Sequence, residues 1–420
     1  MTKDLLNDRV APAALAGVKA DGGGAARPSP DEIYDLTRQT IKPHFAELER
    51  CRSTRELRAH PVYQQLEPAI DAVLSTPEVG DFSRQHVPAR STYRLVAWNL
   101  ERGIEFDGQL EAFRTHPYLR DADVFLLTET DVGMARSGNR AVAQEIAREL
   151  GLRYAFMPCY LNLTKGSGVE YGAPGENDLG LHGNAVLSRY PIGRVRPIHL
   201  ENGTDLMAGR EKRLGRQTAL AAEIEFPNGR LVAVSVHLDA NSSQSHRCRQ
   251  MQEVLDGLRA ETEAGAGVVI GGDWNTTTYD SSRALPAIAG FWLRVFMGVE
   301  NVIQRHYLHP YHWFERDLFR LLEERGFEYR RSNVLGERTA TYDAYCPKTR
   351  QNLGEWVPAW CFPFIRWSLR RQGGRCPLKI DWFATRGVSV ESPVVIHELR
   401  EGRERPLSDH DAIGVEARFD

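Results

Sequence analysis

Apolar positions along the chain change their period twice. Through "SPDEIYDLTRQTIKPHFAELERC" and on to "YQQLEPAIDAVLST" they recur at helical spacing, and Ser29 followed by Pro30 supplies a cap and first-turn residue. From Tyr93 the pattern becomes short apolar runs: "YRLVAWN", "DVFLLTET", "RYAFMPCY", "HGNAVLS", "QTALAAEIEF", "RLVAVSVHLD", "GVVIGGDWN", "KIDWFAT" and "DAIGVEARF" predict strands. Between them "NRAVAQEIAREL" and "SHRCRQMQEVLDGLRAETE" predict amphipathic helices. "EFPNGRL" sets Asn228-Gly229 between two alternating runs, a hairpin signal. Antiparallel neighbours interleaved with helices predict an α+β sandwich of two helix-covered sheets rather than a doubly wound parallel sheet.

The same pattern divides the chain. Residues 1–30 close in "GVKADGGGAARPSP" and read as a flexible tail, residues 31–90 as a helical N-terminal extension, and residues 91–420 as the main domain. Residues 290–375 interrupt the strand rhythm and read as an aromatic- and arginine-rich insertion.

With 420 residues, burying a core presents no difficulty. The net charge of -3 excludes a global attraction to nucleic acid or anionic membrane, so such contact needs a local basic patch. The six cysteines are dispersed without a C-x-x-C, which predicts reduced thiols. The first residues lack a signal-peptide core, and no window reaches the roughly 20 apolar residues of a membrane span. A soluble, cytoplasmic protein is expected.

The chemistry lies where the predicted strands end. "LVAWNLERG" finishes on Asn99 and Glu101, "VFLLTET" on Glu129, "AVSVHLD" on His237 and Asp239, and "VVIGGDWN" on Asp273 and Asn275. "KIDWF" carries Asp381, and "PLSDHDAI" places Asp409 and His410 before the last strand. If these strands share one sandwich, their polar ends converge on one rim. Hard oxygen donors at Glu129, Asn99, Glu101 and Asp409, with no cysteine nearby, suit Mg²⁺ or Mn²⁺ better than zinc. Asp381 and His410 fit a carboxylate–imidazole pair that favours an imidazolium facing an anion.

Taken in order, "WNLE … TET … HGNAVLSRYP … VHLD … GGDWN … KIDW … SDHD" resembles the endonuclease/exonuclease/phosphatase superfamily, from about Tyr93 to the C-terminus. Each motif alone is weak, and seven in the family's order are strong. The resemblance implies a four-layer α/β/β/α sandwich of two mixed, mainly antiparallel sheets and a divalent-metal-dependent phosphoesterase. By motif, Glu129 would bind the metal, Asn99 would position metal or phosphate, Glu101 would be a ligand for a second metal, and Asp409 would support the metal side. Asp273, assisted by Asn275, would activate the attacking water. His410, oriented by Asp381, would stabilise charge on the phosphate oxygens, with His237 as a second donor and no covalent intermediate.

Other signals stay open. The turn in "MARSGNRAV", flanked by Arg136 and Arg140, reads as a phosphate nest or as ordinary helix capping. His182 and Asn184 of "LHGNAVLSRYP" read as an active-site wall or as satisfied structural residues. His306, His309 and His312, with Cys346, Cys361 and Cys376, suggest structural zinc only weakly, since no pair has finger spacing. "EWVPAWCFPFIRWSLRRQGGR" interleaves Trp356, Trp360, Phe362, Phe364 and Trp367 with Arg366, Arg370, Arg371 and Arg375. That stretch fits a packed lid, a platform for single-stranded nucleic acid, or a peripheral contact with anionic lipid. Nucleic acid is the favoured substrate and a phospholipid or sphingolipid the alternative. An inositol phosphatase ranks lower, because "GGDWN" continues "TTTYD" rather than Tyr-Arg. A non-catalytic binding module of the same fold would be expected to have lost some of these residues, and a serine hydrolase lacks its G-x-S-x-G elbow.

Overall fold

The alternating runs that begin near Tyr93 build two stacked sheets in the computed structural model, which describes residues 28–84, 87–277, 284–347 and 359–419. The larger sheet runs, in spatial order, β1 (Glu78–Asp81), β4 (Arg153–Asn162), β5 (Leu181–Ser188), β3 (Val124–Val132), β2 (Tyr93–Arg102), β15 (Ala412–Arg418) and β14 (Ser389–Ile396). The short β7 (Arg213–Gly215) pairs with β4. The second sheet runs β13 (Asp381–Arg386), β10 (Gly267–Asp273), β9 (Gly229–Ser235), β8 (Thr218–Phe226) and β6 (Ile192–His199). Both sheets are mixed: β2 with β3 and β9 with β10 pair parallel, and every other pairing is antiparallel.

Strand alternation sets the layers. In β2, Leu95 and Ala97 join Leu126, Leu220, Ala233, Val269 and Phe383 between the sheets, whereas Val96, Trp98 and Leu100 face the helices outside. On that outer face lie the helices Phe106–Thr115 and Val142–Leu150 and the N-terminal helices, whose Ile41, Leu48, Leu66, Ile70 and Val73 join the same core. The far face of the second sheet is covered by Gln244–Gly257 and Arg316–Glu324. The four-layer sandwich expected from the sequence is the fold observed.

Three details depart from the expectation. Strand β1 lies inside the segment read as helical and adds an edge to the larger sheet. Tyr34 and Tyr154 each donate to its Glu78 at 2.5 Å. Strands β6 and β14 escaped the pattern because each is an edge strand carrying a proline, and β14 also bulges between Glu391 and Val394. The β8–β9 hairpin turns on Pro227 and Asn228, pairing Phe226 with Gly229, one residue earlier than the Asn-Gly signal.

The insertion is only partly separate from the sandwich. Its helix Arg316–Glu324 belongs to the outer core of the second sheet and is tied there by a fully buried pair, Arg247 to Glu315, at 2.5 Å. Tyr311, Phe327 and Tyr329 join the same core, while Val302, Ile303, Tyr307, Ala344, Leu369 and Cys376 form a satellite core beside the small pair β11 (Ala340–Asp343) and β12 (Arg375–Leu378). The tail through residue 27 and Trp356 lie outside the described residues. All six cysteines are free thiols. Among the described residues no helix is long and apolar enough to cross a membrane.

Candidate active site

Strands β2, β3 and β10 end, and β13 begins, at one rim of the sandwich. Asp273 and Asp381 are direct cross-strand partners there. Trp274, between Asp273 and Asn275, is fully buried in the outer core, 6.2 Å from Trp382, so its neighbours on either side turn toward the rim. The paired glycines before Asp273 let this strand end fit. Gly272 has φ +136°, and a side chain there would meet the Val236 carbonyl oxygen at 2.2 Å.

The backbone is bent where the polar groups stand. Register shifts interrupt β2–β3 pairing between Asn99 and Arg102, and β3–β5 pairing between Leu127 and Thr130. Glu101, Arg102, Glu129 and Asn275 all have positive φ. Such bulges re-aim side chains at a cost of order 1–3 kcal/mol per residue, which the surrounding packing has to offset.

Three donors converge on one oxygen. Asn99 Nδ2 donates to Asp273 Oδ2 at 3.1 Å, while His237 Nε2 and His410 Nε2 each lie 3.5 Å from that atom. The other oxygen, Oδ1, accepts from the Asn275 amide at 2.9 Å. Asn275 Nδ2 donates to the Leu238 carbonyl. His410 Nδ1 donates to both Asp381 oxygens, at 2.9 and 3.1 Å. The His410 loop is anchored from three sides: Trp98 Nε1 donates to the His410 carbonyl, Ser408 Oγ donates to the Asn99 carbonyl, and Asp411 N donates to the Thr339 carbonyl.

Burial and charge separate the protonation states of these groups. Burial pushes the Asp273 carboxyl up to about 7, with His410 opposing and Asp381 reinforcing. Burial pulls His410 down, but Asp381 and Asp273 outweigh it and hold the imidazolium well above its usual range. His237 is drawn down to about 4 by burial despite Glu129, so it is neutral at pH 7. Burial raises Glu129, yet the Arg102 guanidinium outweighs it and helps hold the carboxyl well below its usual range.

Glu129 sits opposite this group, with Oε1 3.9 Å from His237 Nε2 and Oε2 3.2 Å from Arg102 Nη1. On the neighbouring strand β2, where Asn99 lies opposite Thr128, Asn99 Oδ1 accepts from the Glu101 amide at 2.9 Å, and Glu101 is buried. An ionised carboxylate, an amide oxygen and a buried glutamate with no thiol among them form a donor set suited to a hard divalent cation. Asp273, Asp381 and His410 also lie close enough together to hold a metal. There, however, His410 Nδ1 and both Asp381 oxygens are already engaged with each other. Asp409 is mostly exposed, with Oδ1 4.0 Å from His410 Nε2.

The remaining candidates separate into two groups. His182 is held by Asp131 of β3, two residues beyond Glu129, with its Nδ1 2.8 Å from Asp131 Oδ1. Arg136 is enclosed, its guanidinium shared among Asp131, Glu170 and Glu211, so the turn forms a carboxylate cage rather than an open phosphate nest. Arg140 pairs with Glu145 and Asp107 and stacks on Phe106 at 4.3 Å. Asn184 is buried, donating to the Thr218 carbonyl. In the insertion, His306 packs on Trp313 and Phe314, and His309 Nδ1 is 2.8 Å from the Tyr311 hydroxyl. Among the described residues no metal cluster forms there.

Two residues at the rim carried no sequence signal. Arg102 bridges Glu129 and Glu170, at 3.2 Å each. Lys379 is buried two positions before Asp381, its ammonium lacking a hydrogen-bond acceptor and lying 4.6 Å from the Trp382 ring centre. Burial lowers that ammonium to about 8, against Asp381 and Glu337. A lone basic residue beside a motif has no periodicity to mark it.

No curated protein sequence matches the chain. Similar solved structures include an endonuclease/exonuclease/phosphatase from Beutenbergia cavernae, 16% identical, covering 79% of this chain and 72% of that one, with a TM-score of 0.45. The human Nocturnin catalytic domain with bound sulfate is 14% identical over 82% of this chain and 97% of that one, TM-score 0.43. D. rerio TDP2 complexed with single strand DNA product is 15% identical over 79% and 100%, TM-score 0.43. The family model of the Endonuclease/Exonuclease/phosphatase family matches residues 96–410, a span that opens in β2 and closes on His410. With the sandwich, the rim and the ordered motifs in agreement, the chain belongs to the Endonuclease/Exonuclease/phosphatase family, whose members are phosphoester hydrolases.

Proposed function

We propose that the protein hydrolyses a phosphodiester by in-line attack of water, with Mg²⁺ or Mn²⁺ as cofactor. The observation that carries this reading is the convergence of Asn99, His237 and His410 on one oxygen of Asp273, opposite Glu129. Asp273 is the general base: its Oδ1 is fixed by the Asn275 amide, and its Oδ2 faces the rim to take the proton of the attacking water. His410, held charged by Asp381, donates from Nε2 to the phosphoryl oxygens as negative charge builds. Neutral His237 donates a second hydrogen bond, and Asn99 holds the base in place. Glu129, with Asn99 and Glu101, would hold the cation, and Asp409 would support that side from the exposed lip. When bound, the ion would polarise the phosphoryl group. His182 braces Asp131, on the strand that carries Glu129. Arg136, Arg140 and Asn184 support the fold around the rim.

Two phosphodiester classes fit. Nucleic acid is the first class, with the net charge of -3 limiting contact to few phosphates. The exposed aromatic face of that insertion is the specific observation favouring a phospholipid. A single turnover in heavy-oxygen water tests the chemistry: the label enters the phosphoryl product in the first turnover. Unlabelled product, or a phosphorylated protein trapped on the way, would overturn direct attack by water.

A further inference from the structure

The insertion carries two helices that are apolar on the side turned to water. Ala284–Met297 has one charged residue, Arg294, in 14 positions, yet Leu293 and Phe296 are 54% and 83% exposed. In Phe362–Leu369 the inner positions Ile365 and Leu369 pack on the satellite core. The outer positions Phe364 and Trp367, with Trp360 just before them, are 42%, 49% and 58% exposed. The side chains form one continuous surface: Trp292 contacts Phe296 and Phe364, and Phe364 contacts Trp360. An exposed helix face normally carries charge, and a contiguous apolar patch marks a surface that meets something other than water.

What borders the patch identifies the partner. Residues 359–378 contain four arginines and no aspartate or glutamate, in a chain whose net charge is -3. Arg370 and Arg371 are exposed and make no ion pair among the described residues, and Arg370 lies 4.9 Å from the centre of the Trp367 ring. Tryptophan and phenylalanine protruding together, edged by unpaired arginines, match the boundary between acyl chains and anionic headgroups. Base stacking fits less well, because the aliphatic Leu293, 54% exposed in the same face, has no role on a stacking platform. Neither helix is long enough to span, so the contact lies on the surface.

We infer that this face docks the protein on the surface of an anionic membrane. The insertion leaves the rim end of β10 and returns at the start of β13, and Ala340 bridges to His410, so the docked element shares backbone bonds with the catalytic loop. Docking holds whichever phosphodiester is cleaved.

The test is co-sedimentation of the full chain with vesicles of phosphatidylcholine alone or mixed equally with phosphatidylglycerol. Bis-p-nitrophenyl phosphate hydrolysis, where present, and thermal melting report on the fold, so a failure of docking is distinguishable from a failure of the phosphoesterase reading. Binding to the mixed vesicles is expected, declining with salt. Arg370→Gln/Arg371→Gln should weaken it on the order of tenfold, since each arginine near such a surface contributes several-fold. Trp360→Ser/Phe364→Ser/Trp367→Ser should abolish it while the melting curve is kept. Wild type remaining in the supernatant with the mixed vesicles would overturn the inference. So would undiminished binding by the triple variant, a single-stranded oligonucleotide bound in place of vesicles, or self-association that the triple variant removes.

Discussion

Asp273 reaches the rim because Trp274 does not. One buried indole, stacked toward Trp382, forces the residues on either side to face outward, and Gly272 accepts a backbone approach that no other residue could make without strain. The protonation states then follow from position: a buried carboxyl raised toward neutrality is a base, and an imidazole wedged between two carboxylates is a lasting cation. Activity is therefore expected to rise with pH as Asp273 ionises, at or below about 7, because a cation at Glu129 would lower it further. It should fall only well above neutrality, where His410 loses its proton. Asp381→Asn removes a charge that raises both groups, so both limbs of the kcat/KM profile should move to lower pH by roughly one unit or more. A uniform loss at every pH, with neither limb displaced, would contradict this assignment.

At the scale of elements, the N-terminal helices are part of the sandwich. Ile41, Leu48, Leu66, Ile70 and Val73 are buried in the core of the larger sheet, and β1 closes its edge against β4. Deleting the chain through residue 81 should leave that face bare and one edge of β4, over 153–156, unpaired, giving insoluble protein or loss of cooperative melting; a truncated form melting like the full chain would contradict this. Much of this architecture was legible in the sequence. The buried strands β2, β3, β9 and β10 carry apolar runs running into polar residues, among them Glu129 and Asp273, while Asp381 opens β13 and His410 precedes β15. Of the edge strands β13 was legible, whereas β1, β6 and β14 were not, because prolines and charges that suit an edge hide its period. Nor was the fate of Arg136. Its sequence neighbours suggested an open phosphate nest, while Glu170 and Glu211, distant in sequence, close around it.

For the molecule as a whole, two sheets deliver separate halves of one site. The larger brings Asn99, Glu101 and Glu129, and the second brings Asp273 and Asp381, with His410 entering on the loop before β15. The proposed cation-binding half and proton-transfer half meet only when the sheets are stacked, which would tie activity to the intact sandwich. The insertion adds a face at the same rim whose chemistry is unlike the rest of the surface. The central claim is a metal-dependent hydrolase using Asp273 and His410. Its most direct test is turnover of bis-p-nitrophenyl phosphate with Mg²⁺ or Mn²⁺ and with EDTA, for wild type beside Asp273→Ala and His410→Ala. Hydrolysis that needs the metal, stops with the chelator and falls by about 10²–10⁴-fold in each variant is the predicted result. Turnover that survives chelation or either substitution would contradict it, as would a folded, metal-loaded protein that cleaves neither diester nor monoester.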